Sequence, residues 1–332
     1  MTIARFGRTR FFSTLVTTGL TSVVLSASPM SASAADAAPK NIAVFVAKLN
    51  LASGTVSDVR NITPGKGAHF QPSFMGDGSA VLFVSERSGS PNIYRHVLAS
   101  GETRAVTNTK ESLYSPTVLP DGSGFVAVRV VTPDPYYGLE AKEPSLWQFG
   151  WDGKPVRPLV TTRRIGYYGW VGEQHVAMFL VDEVPERNAH KAVLMNRSSG
   201  KVTLLSNKPG KSFGRTTDGK RVTFVDQTDP KRWVISAMGP DDAKPTVLVD
   251  MAVGKVGEAE ADRSQYFVGL PDGSMVMANG TRLFRWDGVK GSSFKVFAEL
   301  GKLGGAIKNI AASRDGTHLA FSVTMDHAAP AP

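Results

Sequence analysis

Apolar runs of three or four residues recur along this chain, and each stands just behind a turn signal made of glycine and an acidic residue. Val81-Leu82-Phe83-Val84 follows Met75-Gly76-Asp77-Gly78, and Phe125-Val126-Ala127-Val128 follows Leu119-Pro120-Asp121-Gly122. The pattern returns as Val171-Gly172-Glu173 before Val176-Ala177-Met178-Phe179, and as Thr217-Asp218-Gly219 before Val222-Thr223-Phe224-Val225. Its last copies are Pro271-Asp272-Gly273 before Met275-Val276-Met277 and Arg314-Asp315-Gly316 before Leu319-Ala320-Phe321. Glycine tolerates positive φ and aspartate bonds its own backbone, so each copy predicts a tight two-residue turn between antiparallel strands. A third apolar segment follows in each repeat, such as Ile93-Tyr94-Arg95-His96-Val97 or Leu146-Trp147-Gln148-Phe149. A fourth comes after another short turn, such as Val202-Thr203-Leu204-Leu205.

The turn positions 77, 121, 173, 218, 272 and 315 lie 44, 52, 45, 54 and 43 residues apart, the period of a four-stranded propeller blade. The sixth repeat reaches only its second strand, near 319 to 324, before the sequence stops at Pro332. Two unassigned strands, at 42–47 and 56–63, have the order of a third and fourth strand. The prediction is an all-β, six-bladed β-propeller of four-stranded antiparallel blades over 41–326, closed by N-terminal strands that complete the C-terminal blade.

Composition changes this picture at the N-terminus. Arg5, Arg8 and Arg10, the apolar stretch from Phe11 to Leu25 and Ala32-Ser33-Ala34 read as a secretory signal peptide over 1–34, followed by a short linker at 35–40. The stretch spans 15 residues, short of the roughly 20 that a spanning helix needs, so stable membrane insertion is not expected. Residues 327–332 read as a loose tail. The chain has no cysteine, which leaves no disulfide and no cysteine-linked lipid anchor. These features predict a monomeric protein of the periplasm or the exterior. Loss of the three leader arginines lowers the net charge from +9 to +6, because 35 basic residues then face 29 acidic ones. That excess is spread along the chain, which argues against a nucleic-acid partner.

The first repeat carries more than the turn. It opens with Pro72-Ser73-Phe74, turns at Asp77-Gly78, runs into Ser85-Glu86-Arg87-Ser88-Gly89 and resumes at Asn92-Ile93-Tyr94. In this it resembles the repeat of TolB-type propellers, a WD40-like or PD40 repeat family. The resemblance implies a periplasmic binding module that holds a protein or envelope component through its propeller. The N-terminal α/β domain of TolB itself has no counterpart here. Related propellers also occur fused to serine peptidases and as lyases of pectic oligosaccharides, so an enzyme acting on carbohydrate or peptide, a lyase or hydrolase, is the alternative.

The residues offer no catalytic constellation. There is no Gly-x-Ser-x-Gly elbow, and the histidines at 69, 96, 175, 190, 318 and 327 occupy unlike positions in their blades, so no catalytic residue, cofactor or metal is expected. Asn207-Lys208-Pro209-Gly210-Lys211-Ser212 ends like a phosphate loop, but Leu205 stands where its first glycine is needed. Glu258, Glu260 and Asp262 alternate so that an extended backbone puts three carboxylates on one side, a candidate cation site against the plainer reading of an exposed acidic loop. Function is better sought where the blades begin. Aligning the repeats on their turns places His69, Gln71, Tyr114, Tyr167, Lys211, Tyr266, Lys308 and Asn309 near the inner ends of the first strands, as a candidate binding ring at the channel mouth. Tyr136 and Tyr137, in the long loop 132–144, are candidate rim residues.

Overall fold

In the computed structural model, residues 41–131, 143–183, 187–251 and 265–325 are described. They form six four-stranded antiparallel sheets arranged in a ring. The first blade consists of β3 (His69–Phe74), β4 (Ala80–Ser85), β5 (Asn92–Val97) and β6 (Thr103–Ala105). The second holds β7 (Ser112–Val118), β8 (Gly124–Val130), β9 (Ser145–Gly150) and β10 (Pro155–Arg163). The third holds β11 (Ile165–Val171), β12 (His175–Leu180), β13 (Lys191–Asn196) and β14 (Val202–Ser206). The fourth comprises β15 (Pro209–Arg215), β16 (Val222–Asp226), β17 (Val234–Met238) and β18 (Thr246–Asp250). The fifth comprises β19 (Phe267–Gly269), β20 (Met275–Asn279), β21 (Arg282–Trp286) and β22 (Lys295–Glu299).

The sixth sheet draws on both ends of the chain. Its order is β2 (Thr55–Asn61), β1 (Ile42–Asn50), β24 (His318–Met325) and β23 (Gly305–Ala312). β1 pairs with β24 in unbroken antiparallel register from Ile42 opposite Thr324 to Lys48 opposite His318.

The apolar runs are second strands, and their continuity has a cause. Each lies between two neighbours in its own sheet and against another blade on either face, so side chains pointing both ways are buried. All six residues of β4 are buried. The fourth strands lie at the rim, where β2 and β18 are largely exposed. Six apolar clusters among the described residues fill the junctions between successive blades. Alternation along β1 feeds two of them: Ala43, Phe45, Ala47 and Leu49 pack with the fifth blade, Val44 and Val46 with the first.

The hairpin turns are longer than the two residues expected. Between β3 and β4 the chain passes through Met75 to Ser79, with Gly78 at φ 74° donating its N–H to the Met75 carbonyl at 2.9 Å. Asp77 Oδ1 accepts the Ser79 amide at 3.0 Å. Asp121, Asp218, Asp272 and Asp315 repeat that bond to the residue two places on, each at 3.0 Å. Aspartate thus works as an acceptor that caps a longer turn, and hydrogen bonds hold these carboxyls below their ordinary pKa, led by the Ser79 amide at Asp77 and by the Thr216 hydroxyl at Asp218.

Candidate functional site

Each blade contributes its first strand to the ring axis. Gln71, Ser115, Tyr167, Ser212, Tyr266 and Asn309, each six places before its own turn residue, line one cavity of 140 Å³. Residues from six blades share so small a space only at the axis. Five of the first strands carry an irregularity in register at this level, between Phe70 and Ser73, Tyr114 and Thr117, Ile165 and Tyr167, Pro209 and Phe213, and Ile307 and Ile310. A bulge leaves a residue unpaired and re-aims its side chain. Here it also places Gln71 and Ser115 at φ 53° and 50°, a left-handed conformation that costs energy for residues with a Cβ.

Side chains take over the backbone groups that the bulges release. The Gln71 N–H donates to Asn309 Oδ1 at 3.3 Å, and Gln71 Oε1 accepts the Ser115 N–H at 2.8 Å. The Tyr168 hydroxyl lies within hydrogen-bond reach of the Val126 and Ser115 carbonyls, at 2.8 and 3.0 Å, and of the Thr117 hydroxyl at 2.7 Å. Ser212 Oγ donates to the Phe267 carbonyl at 2.7 Å. The network therefore ties blade to blade around the axis.

Tyr167 and Tyr266 come from the third and fifth blades, which are not neighbours, and meet across the axis. Their hydroxyls are 3.4 Å apart and their rings 6.3 Å apart, tilted by 68°. Burial raises the pKa of both phenols, so both are neutral hydroxyls at any physiological pH. Lys211 lines the same cavity and is its one charged residue among those described. Burial lowers its pKa, and the nearby Lys308 ammonium lowers it further.

Of the expected ring, Gln71, Tyr167, Lys211, Tyr266 and Asn309 surround the cavity, and Lys308 stands beside Asn309. Two others lie elsewhere. Tyr114 stacks on Phe70 with ring centroids 6.3 Å apart and packs in the clusters flanking the second blade. His69 is 2 % exposed, with Nδ1 2.9 Å from Ser85 Oγ and its ring edge-on to Phe83. Ser115 and Ser212 are the members that the sequence reading missed. Tyr136, Tyr137, Glu258, Glu260 and Asp262 lie outside the described residues.

Burial of His69 has a measurable consequence, because desolvation, with a smaller push from Arg87, lowers its pKa from 6.5 to about 4. The unfolded chain binds this proton near pH 6.5, whereas the folded protein resists it until about pH 4. Stability attached to His69 is therefore complete above pH 6.5 and is lost between there and about pH 4, by about 2 kcal/mol. Urea melts at pH 7 and 4.5 should show that loss, and a His69→Asn variant should show a smaller one.

A larger depression of 790 Å³ lies among the hairpin turns of the third and fourth blades. Its charges are mixed, and two of its carboxylates are committed to backbone amides: Asp218 Oδ1 accepts the Lys220 N–H at 3.0 Å and Asp242 Oδ2 the Gly239 N–H at 2.8 Å. Among the described residues no three His, Asp or Glu side chains converge to hold a metal ion, and no helix is long and apolar enough to cross a membrane.

Ring, blade order and axial cavity define a six-bladed propeller with a polar axial lining. Among solved structures its architecture is TolB-like. A protein assigned as TolB from Agrobacterium tumefaciens superposes with a TM-score of 0.61 at 15% identity, over 86% of this chain and 99% of that one. TolB from Acinetobacter baumannii gives 0.52 at 14% identity, over 86% of this chain and 64% of its own, so the match spans just under two thirds of that protein. A gluconolactonase from Xanthomonas campestris gives 0.56 at 11% identity, over 86% and 96%. Likeness at such identities is likeness of fold. No family model matches the chain, and no curated protein matches its sequence.

Proposed function

We propose that this chain is an exported, non-catalytic propeller that binds a protein or cell-envelope component through the axial cavity and the face around it. The observation that carries the reading is the lining itself. Among the described residues it offers amides, hydroxyls, phenols and one amine but neither a carboxylate nor an imidazole, and the two phenols are held neutral. General acid–base chemistry needs a group whose pKa sits near the working pH, whereas recognition needs oriented donors on apolar walls. The TolB-like architecture and the N-terminal leader pattern support the same reading.

Affinity capture from an envelope extract of the native host tests it. Tyr167→Phe combined with Tyr266→Phe keeps both rings and removes both hydroxyls, so the melting temperature should move by only a few degrees. Capture should fall at least tenfold. Equal capture by this variant, with loss on Tyr136→Ala and Tyr137→Ala instead, would move the site from the axis to the rim.

A further inference from the structure

We infer that the axial cavity is a receptor for a carboxylate, presented by the protein that the propeller binds, with Lys211 as its counter-ion. The inference rests on the protein-binding reading above and adds the chemistry of the group recognised.

The lining has an excess of donors. Gln71 spends its amide oxygen on the Ser115 N–H, and Asn309 spends its own on the Gln71 N–H and the Ser322 hydroxyl at 3.1 Å. What remains on Gln71 is its NH₂ group, a donor, whereas the Asn309 side chain is also engaged with the Tyr266 hydroxyl. The Ser115 hydroxyl is buried without a hydrogen-bond partner. Lys211 adds three more N–H donors and a positive charge, and among the described residues no carboxylate lines the cavity to oppose it.

A polar group left unpaired at a buried site costs about 1–3 kcal/mol, more if charged, so a surplus this one-sided is stabilised by an acceptor that brings negative charge. The like charge of Lys308 strengthens the argument, since an anion beside Lys211 relieves the repulsion between the two ammonium groups. The remaining wall selects among anions. Pro72, Pro116, Phe213 and Ile310 give the cavity apolar faces, which suit an oxyanion carried on carbon better than a fully hydrated phosphate. A volume of 140 Å³ takes a carboxyl group with its short stem. Such a group is found at a chain terminus or on an acidic side chain.

Calorimetry on the full-length protein at low salt, with small probes, decides the matter. N-acetyl-Ala-Ala with a free C-terminal carboxylate should bind at least tenfold more tightly than its amide. N-acetyl-glutamate amide, which has only a side-chain carboxylate, separates the two sources: binding as tight as the free terminus assigns the cavity to acidic side chains as well. Inorganic phosphate should bind more weakly than either acid. Lys211→Met should remove the preference for acid over amide, Lys211→Arg should restore part of it, and Gln71→Glu, which places a negative charge in the cavity, should abolish acid binding independently. Equal binding of acid and amide, or no binding of either, overturns the inference, as does a preference that survives in Lys211→Met. Protein capture by the wild type that persists undiminished in Lys211→Met overturns this inference and leaves the binding reading intact. Selective binding of the free acid alongside an extract that yields no protein has the opposite meaning: the carboxylate receptor stands and the protein-binding reading fails.

Discussion

A chain lacking residues 41–61 is expected to lose its cooperative unfolding transition altogether. β1 buries Ala43, Val44, Phe45, Val46, Ala47 and Leu49, all under 9 % exposed. At about 1.5–3 kcal/mol for each larger side chain, the strand contributes on the order of 10 kcal/mol of apolar burial. Net stability of a domain is only about 5–15 kcal/mol, so the deletion removes as much as the fold has to spare. It also strips β24 of one of its two hydrogen-bonding partners and lays open two apolar junctions, which invites aggregation. Thermal denaturation followed by circular dichroism, with size-exclusion chromatography, reads both effects. Phe45→Ala, which removes the ring stacked 6.0 Å from Phe321, is the graded version and should cost about 3 kcal/mol. A truncated chain that melts at the wild-type temperature as a monomer would show that the pairing of β1 with β24 does not hold the ring together.

Glu111→Ala should cost about 3 kcal/mol, well above the cost of removing a partner from an exposed ion pair. Arg129 lies in β8 with only 8 % of its side chain exposed, and Glu111 grips it through two hydrogen bonds of 2.6 and 2.7 Å. Its guanidinium also lies 4.4 Å from the Trp147 ring centroid. Removing the carboxylate takes a two-pronged counter-charge away from a cation in a desolvated slot between strands, and loss of that pairing at a buried charge sets the cost. The exposed pair Arg232 and Asp250 has the same two-pronged geometry at 3.0 and 2.7 Å, yet both side chains are more than half exposed. Asp250→Ala should cost under about 1 kcal/mol. Chemical denaturation of the two variants tests the contrast, and Arg129→Met introduced alongside Glu111→Ala should recover part of the loss. Similar costs for both single variants would mean that burial at Arg129 is not the deciding factor.

The blades were legible because each hairpin turn needs a glycine and a side chain able to hold an amide two places on. Asp77, Asp121, Asp218, Asp272 and Asp315 all make that bond, so one physical demand wrote one sequence sign at five places. At the third, Gly172 precedes Glu173 and itself takes the positive φ, at 59°, which is why that copy reads as degenerate. The site was legible only in part. Aligning the repeats on their turns marks the inner ends of the first strands only to within a residue or two, and the irregularity between Tyr114 and Thr117 decides which side chain there turns inward. Ser115 reaches the axis and Tyr114 packs against Phe70. Lys211 survives its neighbour's placement because the irregular stretch from Pro209 to Phe213 brings both Lys211 and Ser212 to the cavity. A constant offset of six from each turn marks the ring. Serine gives no chemical reason to look for it.

The pairing of Phe45 with Phe321 also sets an order of events. Five blades are built from contiguous stretches of chain and can form as those stretches are synthesised, with contacts local in sequence. The sixth joins the two ends, so the strand at 42–50, paired on one edge with 55–61, must wait with its other edge open until the strand at 318–325 exists. Contacts of such long separation are slow to form, because closing the intervening loop costs entropy before the apolar reward arrives. A nascent chain still threaded through a ribosome or a translocation pore therefore stays an open arc, and the ring is completed only after its last strand is released.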